Sequence, residues 1–149
     1  MTVQPLASPA AKPWYQRPRA VARPERFEAL LADTVATLHR AAAHAPCVLA
    51  SSLSAEDMVL FHLIQRERLP IVTFALDTGH LPQATHDLWR SVQEHYDAVI
   101  ERVTPDADRL ATLKAAQNDS AIYETRAARD LCCSVRKTEP LRRVLAGKR

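Results

Sequence analysis

Cysteine, glycine and aromatic residues are scarce in this chain of 149 residues, which has three cysteines, two glycines and 5% aromatic residues. Three cysteines are a poor basis for the disulfide framework of a small secreted domain, whereas a metal-binding or redox role stays open. The sequence has no apolar run near the roughly 18 residues of a membrane-spanning helix, and no hydrophobic region of a signal peptide. We therefore expect one globular domain in the cytoplasm, where the compartment is reducing, with no membrane partner.

The charged residues are segregated along the chain. The net charge is +3 overall, but it is +4 over residues 1–26, −7 over residues 27–125 and +6 over residues 126–149. A basic end of this kind suits either nucleic acid or a small phosphorylated or sulfated ligand. Because aromatic residues are not interleaved with the cations, the pattern favours the small anion, and a nucleic-acid-binding domain is the weaker alternative.

The hydrophobic pattern predicts a leader followed by alternating helices and strands. Residues 1–25 hold five prolines without periodicity and predict a loosely ordered leader, and residues 26–149 predict an α/β domain. Helices are predicted over residues 26–43, 55–68, 83–95 and 106–116, and strands over residues 47–50, 71–76 and 98–103. Residues 123–145 read as mostly helical and basic, with a break near Pro140. Repeated strand–helix units imply a parallel, doubly wound sheet, on which the apolar face of the first helix should pack.

A serine-rich segment follows the first predicted strand. Ligands of open α/β sheets bind beyond the carboxyl ends of the strands. Residues 51–54 (Ser-Ser-Leu-Ser) offer hydroxyls and backbone N–H groups at a helix start, where a phosphate or sulfate is favoured even without glycine. The alternative is that Ser54 is only an N-cap worth about 1 kcal/mol. Glu56 and Asp57 then simply complement the helix dipole.

A second polar segment, Asp77-Thr78-Gly79, follows the second predicted strand. It places an acid, a hydroxyl and a flexible glycine at the same edge of the sheet, a trio that suits a nucleotide. The alternative is an ordinary turn between strand and helix, in which Asp and Gly occur for backbone reasons.

An adjacent cysteine pair, Cys132-Cys133, precedes the cations Arg136 and Lys137. A disulfide between neighbouring cysteines strains the intervening peptide, and a zinc site needs further ligands at suitable spacing, which the sequence does not offer. Iron–sulfur ligation can use both thiolates, with the two cations offsetting the cluster's negative charge. The alternative is two thiols buried in a helix. The third cysteine, Cys47, reads as a small core residue, and the six histidines show no paired ligand spacing.

Taken together, the serine segment with its following Ala-Glu-Asp, the Leu-Asp-Thr-Gly segment and the Cys-Cys-x-x-Arg-Lys-x-x-Pro-Leu segment strongly resemble the assimilatory sulfonucleotide reductases. That family comprises adenylyl-sulfate and phosphoadenylyl-sulfate reductases, and the resemblance covers about residues 45–147. It implies an adenine nucleotide alpha-hydrolase-like fold related to the ATP pyrophosphatases. It also implies thioredoxin- or glutaredoxin-dependent reduction of adenylyl sulfate to sulfite and AMP, a step of sulfate assimilation toward cysteine biosynthesis.

The resemblance assigns roles to particular residues. It implies that Cys132 and Cys133 are two ligands of a [4Fe-4S] cluster and that Lys137 helps to link this cluster to the substrate. Relatives that use phosphoadenylyl sulfate commonly lack the cluster, so the cysteine pair favours the non-phosphorylated substrate. The implied substrate-binding residues are Ser51, Ser52, Ser54, Asp77, Thr78, Gly79, Arg136 and Lys137.

The sequence departs from the family pattern in three places. Ser54 stands where the family usually has glycine, and Ala84 stands where glutamate is common. After residue 147 the family continues with a strand, an arginine-rich loop, a second cysteine pair and the nucleophilic cysteine. We therefore expect a nucleotide-binding portion, incomplete at its C-terminus, that has no catalytic residue of its own and is inactive alone. A non-catalytic adenine-nucleotide-binding module is the alternative, and a homo-oligomer is compatible with either.

Overall fold

The computed structural model describes residues 25–148, so the predicted leader lies outside the described residues except for its last position. The first helix, α1 (Phe27–Ala42), confirms the helix predicted over residues 26–43. Its apolar side chains are at most half-buried, and none of its residues is buried. The expected apolar face is therefore present in α1 but is covered only loosely.

Three short parallel strands form the sheet: β1 (Val48–Ser51), β2 (Val72–Leu76) and β3 (Ile100–Val103). They lie in the order β1-β2-β3, with Ser51 paired to Ala75 and Leu76 paired to Val103. Each strand begins one or two residues later than its apolar run, because the run also includes residues that lead into the strand. With its flanking helices, this parallel sheet confirms the predicted α/β fold.

The helices that connect the strands are α2 (Ala55–Arg66) and α3 (Gln83–Tyr96). Phe61 of α2 and Trp89 of α3 are buried in one cluster with residues of β2 and β3. Burial of a large apolar side chain contributes roughly 1.5–3 kcal/mol, so such residues hold the helices against the sheet. The Trp89 indole N–H also donates to the Ile100 carbonyl at 3.3 Å, which ties α3 to β3.

The segment after β3 is helical throughout most of its length. It contains α4 (Ala107–Ala116), the short α5 (Ala121–Glu124) and α6 (Arg126–Cys133), then a π-helical turn (Ser134–Thr138) and α7 (Glu139–Leu145). Two side chains cap these helices: the Asp106 carboxylate accepts from the Arg109 N–H at 2.9 Å, and the Thr125 hydroxyl accepts from the Ala128 N–H at 3.1 Å. The cysteine pair therefore lies at the end of a capped helix.

The predicted break near Pro140 is wrong, because the chain stays helical from α6 through the π-helical turn into α7. Pro140 occupies the first turn of α7, directly after the π-helical turn. Proline lacks the N–H that an α-helix interior would use, and a π-helical turn is a local widening that accommodates a disturbed hydrogen-bond ladder. Among residues 25–148 no helix is both long enough and apolar enough to span a bilayer.

Candidate functional site

Two polar loops lie side by side at the carboxyl edge of the sheet. β1 ends at Ser51 and β2 ends at Leu76, and the parallel register places Ser51 beside Ala75. The serine loop (residues 51–54) and the Asp-Thr-Gly loop (residues 77–79) therefore leave neighbouring strands at the same level. This is the place at which open α/β sheets bind ligands.

The serine loop is folded by its own hydrogen bonds. The buried Ser51 hydroxyl accepts from the Leu53 N–H at 3.0 Å, and Leu53 has a positive φ of 63° with its side chain in the core. A positive φ is uncommon for a residue other than glycine, so core burial of the Leu53 side chain holds this bend. Ser54 stands at the N-cap position of α2, but its side chain makes no capping hydrogen bond. Ser54 therefore does not cap α2 through its hydroxyl.

Asp57 holds the serine loop from the first turn of α2. Its Oδ2 atom accepts from the Ser52 N–H at 2.6 Å and from the Ser52 hydroxyl at 2.7 Å. The Ser52 hydroxyl and the Ser52 N–H lower the pKa of the Asp57 carboxyl below its ordinary value; burial opposes them, and weaker contacts with Ser54 lower the pKa further. Asp57 thus does more than complement the helix dipole, since its carboxylate sets the shape of the loop.

The Asp-Thr-Gly loop is likewise organised by its own side chains. The buried Asp77 carboxylate accepts from the Gly79 N–H at 3.0 Å through Oδ1, while its Oδ2 lies 3.6 Å from the Arg102 Nε. The Thr78 hydroxyl accepts from the His80 N–H at 3.3 Å. Gly79 has a φ of +75°, a conformation that side-chain-bearing residues rarely adopt. The glycine is therefore required by the backbone of this turn.

Arg136 lies beneath this loop rather than at an open surface. It is 5% exposed, and its Nη1 donates to the Thr78 carbonyl oxygen at 2.8 Å. Its Nη2 is 3.6 Å from the Asp119 Oδ1, which also lies 3.3 Å from the His80 Nε2. The structure thus places Arg136 against the backbone of the predicted nucleotide loop, and its role in substrate binding stays a prediction.

Two cavities meet at the Asp-Thr-Gly loop. The loop cavity, of about 380 Å³, is lined by residues 51–53 of the serine loop and by Asp57, Trp89 and Leu141 among others, but not by Ser54. The cysteine cavity, of about 720 Å³, is lined by both cysteines of the pair and by four cations: Lys114, Arg129, Arg136 and Lys137. Thr78, Leu81 and Lys137 line both. Lys137 is exposed and therefore free to serve either cavity with its ammonium group.

The cysteine pair fits one part of an iron–sulfur site. Cys132 is half-buried, Cys133 is exposed, and both are free thiols on the wall of a cavity rich in cations. A [4Fe-4S] cluster takes four thiolates, and within residues 25–148 no group of three or more His, Cys, Asp or Glu residues is placed to hold a metal ion. The donors present therefore suit two of the four positions.

Cys47 lines neither of the two cavities. It is a half-buried free thiol immediately before β1, at the amino end of the strand, whereas the site lies beyond the carboxyl ends. Cys47 was predicted to open the first strand as a core residue, but β1 begins one residue later, at Val48, and Cys47 is only partly buried. The histidines include three with polar partners: His39 with Glu67, His62 with Tyr96, and His80 with Asp119.

Sequence reasoning missed three contributors to this site. The Asp57 contact with Ser52 spans five residues, and the spacing of a capping box directed attention to Ser54 instead. Asp119 belongs to a segment with no assigned element, and Arg102 stacks 5.3 Å above the Trp89 ring while facing Asp77. No local pattern marks either residue, because both reach the site through tertiary packing.

Comparison with known proteins identifies the family of this chain. Residues 46–149 match the model of the phosphoadenosine phosphosulfate reductase domain. A protein of Allochromatium vinosum named adenosine 5'-phosphosulfate reductase is 50% identical over 101 residues, covering 68% of this chain and 40% of that protein. A Burkholderia cepacia protein of the same name is 39% identical over 129 residues, covering 87% of this chain and 49% of the relative. A rice protein named probable 5'-adenylylsulfate reductase 1, chloroplastic, is 38% identical over 95 residues, covering 64% of this chain and 20% of its own length.

The chain belongs to the phosphoadenosine phosphosulfate reductase domain family, as the sequence resemblance predicted. The three-stranded parallel sheet with its flanking helices is consistent with the fold of this family. The chain spans about half, or less, of the length of these curated relatives.

Proposed function

We propose that the protein containing this chain reduces adenylyl sulfate to sulfite and AMP in assimilatory sulfate reduction. The observation that carries this proposal is the meeting of the two cavities at Thr78, Leu81 and Lys137, which places a nucleotide-sized space next to a cysteine pair. The names of the relatives favour adenylyl sulfate over its phosphorylated form. Phosphoadenylyl sulfate is the alternative substrate.

The loop cavity is the proposed site of the nucleotide. Its volume of about 380 Å³ lies within the usual range of about 300–1,000 Å³ for small-molecule pockets. The positive end of the α2 dipole and the Lys137 ammonium both favour the phosphosulfate group there. Asp77 and Asp57 serve this site indirectly, because they shape the two loops rather than offering positive charge.

The cysteine cavity is the proposed site of a [4Fe-4S] cluster, with Cys132 and Cys133 as two of its ligands. When bound, such a cluster supplies an anionic, redox-capable iron–sulfur group. Arg136 and Lys137 line the same cavity and follow Cys133 by three and four residues, and they offset the negative charge of thiolates. The two further thiolates must come from polypeptide outside residues 25–148 or from a second copy of the chain.

The reaction needs a nucleophilic thiol and a reductant. A cysteine thiolate attacks the sulfur of adenylyl sulfate, the bond from sulfur to the phosphate oxygen breaks, and AMP leaves with that electron pair. A dithiol reductant such as thioredoxin or a glutaredoxin-like protein then attacks the cysteine sulfur, releases sulfite and is oxidised to a disulfide. No residue among the candidates of this chain is assigned the nucleophile.

Nucleotide binding tests the site directly. AMP and adenylyl sulfate are titrated calorimetrically into the 149-residue chain after circular dichroism has shown that it is folded. Asp77→Ala removes the carboxylate that holds the Gly79 N–H, and Ser52→Ala removes the hydroxyl that holds Asp57, so each should raise Kd about tenfold, or about 1.4 kcal/mol. Cys47→Ala is the control, since this thiol lies at the other end of β1. Unchanged affinity in both site variants would contradict the placement.

Iron content tests the cluster assignment without reference to turnover. The protein that contains this chain is purified anaerobically, and iron and acid-labile sulfide are measured. Cys132→Ser and Cys133→Ser should each lower the iron content, whereas Cys47→Ser should leave it unchanged. Iron that is retained in both variants of the pair would exclude these residues as ligands.

A further inference from the structure

Arg136 makes an unusual set of contacts for an arginine of a basic segment. The residue is 5% exposed, its Nη1 donates to the Thr78 carbonyl oxygen at 2.8 Å, and its Nε–H has no partner among the described residues. Burial of a charged side chain is costly unless specific contacts offset the loss of water. The position of Arg136 therefore calls for an explanation beyond general charge.

An ion pair does not explain this burial. The only carboxylate that makes an ion-pair contact with the guanidinium, within residues 25–148, is that of Asp119, whose Oδ1 is 3.6 Å from Nη2. The Asp119 side chain is 74% exposed, and ion pairs with such exposed partners contribute little. The strong contact of Arg136 is instead the hydrogen bond to the backbone of the Asp-Thr-Gly loop.

The loop itself is shaped around this guanidinium. A Cβ atom on Gly79 would lie 3.4 Å from the Arg136 Nη1, at van der Waals contact, so the guanidinium packs directly against this backbone. The Arg136 guanidinium thus packs against the Thr78 carbonyl and the Gly79 backbone. Since Thr78 lines both cavities, a shift of this backbone would alter the wall that the nucleotide faces.

We propose that Arg136 is a positioning residue, which fixes the Asp-Thr-Gly loop against the helix that carries the cysteine pair and thereby keeps the loop ready for the nucleotide. Arg136 acts through the Thr78 carbonyl and the Gly79 backbone rather than by contact with the substrate. The loop-fixing role stands on the contacts above, and the effect on the nucleotide rests on the proposed function.

The test compares Arg136→Met and Arg136→Lys with Val135→Ala in the 149-residue chain. Val135 is a buried neighbour in the same π-helical turn with no hydrogen bond to the loop, so its truncation controls for a general loss of packing. Backbone ¹⁵N order parameters of residues 78–80 report the loop, and calorimetry with AMP reports the affinity.

We expect the order parameters to fall from about 0.85 to below roughly 0.6 in Arg136→Met and to stay high in Val135→Ala. The AMP Kd should rise at least tenfold in Arg136→Met, about threefold in Arg136→Lys and less than twofold in the control. Lysine keeps the charge but loses the planar fork of donors, so an intermediate effect is expected. If Arg136→Met does not fold, the lysine variant decides by the same two measurements.

Three outcomes are decisive. Wild-type order parameters in both arginine variants would overturn the proposal. A raised Kd with an unchanged loop would also overturn it, because Arg136 would then act on the ligand directly. If the loop loosens in Arg136→Met but the wild-type chain binds no AMP, the positioning role is upheld and the proposed nucleotide site is refuted.

Discussion

Replacement of Asp57 by asparagine should destabilise the chain through the serine loop. The carboxylate accepts two hydrogen bonds from Ser52, at 2.6 and 2.7 Å, and an amide oxygen would keep at most part of them. Hydrogen bonds to an ionised group contribute about 1.5–3 kcal/mol, but Ser52 is exposed and water replaces some of the loss. We therefore expect a cost of about 1–2 kcal/mol for these contacts, in addition to the helix-dipole effect.

Glu56→Gln is the matched control for this substitution. Glu56 is an exposed acid in the same first turn of α2, and it makes no hydrogen bond to the loop. Both variants lose one negative charge near the positive end of the helix, so their difference isolates the Ser52 contacts. With a urea m-value of about 2 kcal/mol per molar, Asp57→Asn should unfold at roughly 0.5–1 M less urea than Glu56→Gln at pH 7.

The pH dependence gives a second check on the Asp57 contacts. The pKa of Asp57 is lowered in the folded chain from the ordinary 3.8, so the stability that its carboxylate contributes is fully present above that value. That contribution is lost as the pH falls below 3.8 through the lowered folded pKa. The difference in urea midpoint between wild type and Asp57→Asn should thus stay constant from pH 7 to about 4 and disappear below pH 4. Equal midpoints for Asp57→Asn and Glu56→Gln, or a gap that closes already between pH 6 and 5, would refute the reasoning.

Two further substitutions test local geometry with controls in the chain itself. Gly79→Ala should lower Tm more than Gly147→Ala. Both glycines have a φ near +75°, but only the Cβ at Gly79 would meet another atom, the Arg136 Nη1 at 3.4 Å. Equal Tm shifts in calorimetric scans would contradict this contact. Thr125→Ala should cost about 1 kcal/mol in urea unfolding, since the hydroxyl caps α6, and Ser54→Ala less than about 0.5 kcal/mol, since its hydroxyl makes no capping bond. A larger loss for Ser54→Ala than for Thr125→Ala would show that the capping geometry is misassigned.

The alternation of helices and strands was predictable because each element carries its own periodicity. Buried parallel strands are short apolar runs, and the connecting helices repeat their apolar residues at three- and four-residue spacing. The proximity of the serine loop to the Asp-Thr-Gly loop followed from topology alone, since parallel strands bring their carboxyl ends together. The Pro140 break was predicted from a rule for α-helices, which does not include the π-helical turn that the chain uses.

The hydrogen bonds between elements of the site could not be predicted from a sequence pattern. The substrate-binding role of Arg136 stays a prediction, but its hydrogen bond to the Thr78 carbonyl, 58 residues earlier in the chain, was not foreseen. Asp57 was assigned to a helix dipole, but it holds Ser52. Both contacts depend on how the helices and loops pack, which cannot be predicted from residue types at fixed spacing.

The π-helical turn between α6 and α7 has a consequence for how this segment tolerates length changes. A π-helical turn closes hydrogen bonds over one residue more than an α-helix does, so loss of one residue from Ser134–Thr138 would convert it into an ordinary α-helical turn. Pro140 would then lie in the interior of a regular α-helix, where its ring and its missing N–H are poorly tolerated. Homologous proteins that keep this architecture should therefore accept substitutions in these five positions more readily than insertions or deletions, and engineered chimaeras should be joined outside them.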